Sequence, residues 1–82
     1  MNITFQPVLV ATSTPDKEGQ LVFIEGELAA VLVRLSEQHE AAGQWFLEHG
    51  FGQLDSPTHP TFHDLQAAER WIASATSYNW VS

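Results

Sequence analysis

The stretch HPTFHD, residues 59–64, places two histidines, a threonine and an aspartate inside one short run. Imidazole and carboxylate groups bind divalent metals and move protons near neutral pH. A metal site in this chain would be built on His59, His63 and Asp64, with His39 and His49 and the neighbouring Glu40 and Glu48 as further donors. The spacing argues against it. The familiar two-histidine motif needs both histidines on one helix face, with a glutamate directly after the first. Pro60 occupies that place here and interrupts any such helix. Thr61, followed three residues later by Asp64, instead fits a capping box. In that motif the hydroxyl accepts a hydrogen bond from an early helix amide, the carboxylate reaches back, and its charge suits the positive helix end. The sequence therefore predicts a helix opening at Thr61, and no cofactor.

Other chemistry finds little support. There is no cysteine and no G-x-S-x-G, and Ser36, Ser56 and Ser74 sit in polar contexts without an activating partner. Glu48 lies inside the apolar run WFLEHGF and is the carboxylate most worth weighing as an acid or base. On a strand, however, it alternates toward solvent, and His49 beside it points the other way. Gly50 and Gly52 form G-F-G without the downstream glycine or lysine of a phosphate loop, and read as the end of a strand. No reaction is assigned, and the balance leans away from an enzyme.

The largest resource is aromatic: three Trp, five Phe and one Tyr in 82 residues. Most of these rings belong in a core. Trp80, close to the last residue, is the best placed to anchor an interface, since tryptophan is enriched at binding hot spots. The ligand- or partner-binding set read from the sequence is Trp45, Phe46, Glu48, Phe51 and Trp80.

Charge narrows the partners. Lys17, Arg34 and Arg70 stand against ten acids, for a net charge of −7. Such a chain is repelled by phosphate backbones and by anionic lipid surfaces, so direct nucleic-acid binding and membrane binding are not expected. No basic leader precedes an apolar stretch, and no run of eighteen apolar residues exists. The absence of cysteine fits a reducing cytoplasm.

The elements that position these residues read as one domain over residues 1–82. Residues 3–12 alternate, with Ile3, Phe5, Pro7, Leu9 and Ala11 on one side, and Pro7 marks an edge strand. TSTPDKEGQ is a loop, residues 21–24 (LVFI) a second strand, and Glu25-Gly26 a hairpin turn. Residues 27–35 are apolar on both faces, as in a central strand; helical spacing competes there, but β-branched Val31 and Val33 favour the strand. Residues 36–43 form a loop and 44–52 a fourth strand, with Trp45, Leu47, His49 and Phe51 on one face and Phe46 and Glu48 on the other. From Thr61, Leu65, Ala68, Trp71, Ile72 and Ala75 follow helical spacing.

The expected architecture is α+β: a four-stranded antiparallel meander with one C-terminal helix packed on one face. The alternative is a β-hairpin followed by two or three helices. One helix covers one sheet face, so the other must be polar or covered by a partner. The function expected is that of a small acidic non-enzymatic interaction protein, a homodimer joined through a sheet face, with a protein or small molecule as further partner. An acidic inhibitor imitating nucleic acid on a basic protein surface and a small histidine-based metalloprotein or enzyme are the two alternatives.

Overall fold

A computed structural model of the chain describes residues 2–36, 42–55, 57 and 59–77. Five strands run in chain order across one antiparallel sheet: β1 (Ile3–Leu9), β2 (Glu18–Ile24), β3 (Glu27–Arg34), β4 (Trp45–Gly50) and β5 (Thr61–Phe62). A single 3-10 turn (Gly52–Leu54) follows β4, and the helix α1 (Leu65–Ser77) follows β5. The expected meander and C-terminal helix are both present. The two-residue β5, opposite Trp45 and Phe46, extends the sheet to five strands. Residues 27–34 are extended, so the hairpin-plus-helices alternative does not apply.

The β2–β3 hairpin turns on Glu25 (φ 53°) and Gly26 (φ 81°). Positive φ at both central residues is the geometry whose twist matches that of the flanking strands. Glu25 also holds the start of β1. Its amide donates to the Asn2 carbonyl at 2.9 Å, and its carboxylate accepts from the Asn2 amide at 2.7 Å.

One face of the sheet carries the core. Ile3 and Phe5 of β1 lie opposite Ile24 and Val22, Val22 opposite Ala30, Leu32 opposite Leu47, and Trp45 opposite Phe62. Ala68 and Ile72 of α1 and Leu54 of the 3-10 turn close over them, all almost fully buried. Each large aliphatic side chain buried this way contributes about 1.5–3 kcal/mol. The Phe62 and Trp71 rings meet with centroids 5.4 Å apart, fixing the helix against the sheet edge.

Three details depart from the sequence reading. The helix cap is Asp64 itself: its Oδ1 accepts from the Ala67 amide at 2.8 Å, while Thr61 belongs to β5. Secondly, β4 contains a bulge. Leu32 faces Leu47 but Val31 faces His49, which leaves Glu48 as the extra residue. A bulge shifts the alternation by one, so His49 lies on the face of Phe46 and not with Trp45 and Leu47. Thirdly, the end of β4 is shaped by close approach. A Cβ at Gly50 would collide with the Leu54 carbonyl oxygen, and Gly52 has φ 58°. Only glycine lets the 3-10 turn fold back onto the strand in this way.

Candidate interaction surface

The face opposite the helix is built by register. Thr4 lies across from Phe23, Gln6 from Leu21, Leu28 from Phe23, Val31 from Leu21 and His49, and Val33 from Gly19 and Phe46. Leu21, Phe23, Val31 and Phe46 are half-buried, whereas Leu28 is 40% exposed. The result is an apolar stripe fringed by Thr4, Gln6 and His49. No carboxylate stands among these register positions.

One end of this face is roofed by the β1–β2 loop. The Asp16 carboxylate accepts from the Ser36 amide at 2.6 Å, and the Thr12 hydroxyl donates to the Asp16 carbonyl at 2.8 Å. The loop thereby lies over Val33 and Leu35, which are only 2% and 7% exposed although they face away from α1. Glu48, the bulge residue, lines the same end beside Asp16 and Phe46. Val10 packs back onto Gly19, where a Cβ would lie 2.6 Å from Val10 Cγ2. The uncovered part of the face is thus the part toward the β2–β3 turn.

A groove that shares Leu28 with this face runs past the end of β4. It encloses about 420 Å³ between Ile24, Leu28, Phe51 and Leu54, with Glu27 and Thr76 among its walls. Phe51 is 44% exposed, and its ring stands edge-on to His49 at 4.4 Å.

The residues singled out from sequence separate into different environments. Trp45 is buried in the core, 8% exposed, because it faces Phe62 beneath α1. Phe46 lies on the open face and stacks on His59, with centroids 5.7 Å apart and ring planes 17° apart. Glu48 is exposed at the bulge, Phe51 lines the groove, and Trp80 lies outside the described residues.

His59, His63 and Asp64 are not gathered into a ligand set. His59 Nδ1 donates to the Leu47 carbonyl at 2.7 Å, and Asp64 is engaged in capping. Among the described residues no group of three or more histidine and carboxylate side chains is placed to hold a metal ion. The described carboxylates are dispersed: Asp16 on a loop, Glu18 paired with Arg34 at 3.5 Å, Glu25 in a turn and Glu69 on the helix. Among the described residues no helix is long and apolar enough to cross a membrane.

Leu21, Phe23, Leu28 and Val31 were not singled out by chemistry-bearing residue type. Their signal was the two-sided apolar character of LVFI and of ELAAVLV, which a one-helix fold can satisfy on one side only. No protein-family model, no curated protein and no solved structure matches the chain.

Proposed function

We propose that this chain is a non-enzymatic interaction protein that pairs with a second copy of itself through the open sheet face. The observation that carries this reading is the carboxylate-free apolar stripe Leu21, Phe23, Leu28 and Val31 on a chain of net charge −7. Two such chains repel one another at most approaches. A stripe without carboxylates lets them meet and remove apolar surface from water. Sheet-on-sheet packing accommodates such a contact with side chains interdigitating about 10 Å apart. The cysteine-free composition suits a cytoplasmic setting, where no disulfide would be needed to hold the pair.

The test is molar mass by light scattering after size exclusion, across a concentration series. The native chain is expected to move from monomer to dimer. Val31→Asp, at the centre of the stripe, and Thr4→Glu, at an exposed position on its fringe, are expected to remain monomeric with an unchanged far-ultraviolet spectrum. Thr4→Glu leaves the core untouched, so it answers the question even where Val31→Asp loses its fold. A native chain that stays monomeric throughout, or a dimer indifferent to Thr4→Glu, would overturn the proposal.

A further inference from the structure

The groove beyond β4 has the chemistry of a second site, which adjoins the open face and shares Leu28 with it. Leu28 and Phe51 are two of the three large apolar side chains that stand most exposed among the described residues, and both line it. Its floor is Ile24 and Leu54, at 9% and 1% exposure. The volume of about 420 Å³ falls in the range of sites that hold a small ligand or a few side chains. The groove is held in shape by the fold. Gly50 lets Leu54 close against the strand, the Phe51 amide donates to the Ala29 carbonyl at 2.8 Å, and His49 supports the Phe51 ring edge-on.

Among the described residues the single charged wall is Glu27, with Glu25 two residues away in the turn. None of Lys17, Arg34 and Arg70 lines the groove. An apolar slot with an anionic rim, on a chain of −7, selects for an apolar group next to a cation.

We propose that this groove receives an exposed segment of another protein in which a bulky apolar side chain is flanked by lysine or arginine. The apolar side chain fills the slot between Leu28 and Phe51, and the flanking cation meets Glu27 while its stem lies along the Phe51 ring. A second copy of the chain is a poor occupant. Its Lys17 lies between Asp16 and Glu18, its Arg34 adjoins the buried Leu35, and its Arg70 adjoins Trp71, which is packed on Phe62. None of the three presents an exposed apolar–cation pair.

The experiment titrates the isotope-labelled full chain with acetyl-Lys-Phe-Lys-amide and, as the matched control, acetyl-Glu-Phe-Glu-amide, following amide resonances. It is run on the native chain and on Thr4→Glu, so that open-face pairing and groove binding are read separately. The basic peptide is expected to give saturable shifts concentrated at Leu28, Phe51, Leu54 and Thr76. The acidic peptide should bind roughly tenfold more weakly, the scale of one partly desolvated charge contact. Glu27→Lys should reverse that order. Equal binding of the two peptides, shifts spread outside the groove, or no saturation in the millimolar range would overturn the proposal.

Discussion

Asp64 shows how a single side chain decides where a helix begins. Its carboxylate satisfies the Ala67 amide, one of the first-turn donors that a helix cannot satisfy internally. Thr61, three residues earlier, carries the hydroxyl that a capping box would use, yet it spends its backbone in β5 opposite Phe46. The two caps make opposite predictions. Asp64→Ala should lower stability by about 1 kcal/mol, the usual loss on removing a capping carboxylate. Thr61→Ala, at an exposed strand position, should fall within about 0.5 kcal/mol of the native chain. Urea denaturation of both variants checks this, and the reverse order would restore the threonine as cap. The sequence showed that a helix starts near here but not which residue caps it. A two-residue strand leaves no periodic trace, and both a threonine and an aspartate stood within reach. The histidines were legible in the same limited way. His59 is polar and near other donors in the chain, but the Leu47 carbonyl that engages it belongs to β4 and is brought there only by the fold.

At the scale of elements, β1 illustrates a legible feature with a consequence that only the register supplies. The Asn2 carbonyl accepts from Glu25 and the Val10 amide donates to Lys17, the two residues that flank β2. Alternate residues of a strand point their amide and carbonyl to opposite sides. The even-numbered residues of β1 therefore bond to β2, and Ile3, Phe5, Pro7 and Leu9 turn their backbone groups to the free edge. Pro7 removes no ladder bond inside the sheet; it removes a donor from the edge that another chain would use. Pro7→Val should restore that donor and open the edge to strand pairing. Expected outcomes are species larger than a dimer by light scattering and a gain in thioflavin fluorescence on standing. An unchanged size distribution would show that the twist of the sheet, not the proline, guards this edge. Elsewhere the strands were readable from alternation and the hairpin from Glu25-Gly26, whereas the bulges at Ala29 and Glu48 were not. A bulge is set by how one strand meets its neighbour, so the sequence of β4 alone gave His49 to the wrong face.

At the scale of the whole molecule, charge and shape act together. The helix settles one face of the sheet, the β1–β2 loop roofs one end of the other, and what remains carries the apolar stripe Leu21, Phe23, Leu28 and Val31. That a second face existed was legible from apolar residues on both sides of the central strands. Which part of it stays open was not, because the roof depends on Asp16 reaching Ser36 across twenty residues of chain. The charge of −7 on each copy then dictates how the proposed pairing responds to salt. Like-charged copies repel over the Debye length, about 30 Å at 0.01 M salt and about 8 Å at 0.15 M. Sodium chloride should therefore tighten the dimer across this range, since it screens the repulsion and leaves the apolar contact intact. Binding of a cationic segment in the groove should weaken over the same range, because there the opposite charges attract. Sedimentation equilibrium of the native chain at the two salt concentrations reads the first effect, and the peptide titration repeated at both reads the second. A dimer that loosens with salt would mean that its contact is held by charge pairs, which the stripe Leu21, Phe23, Leu28 and Val31 does not supply.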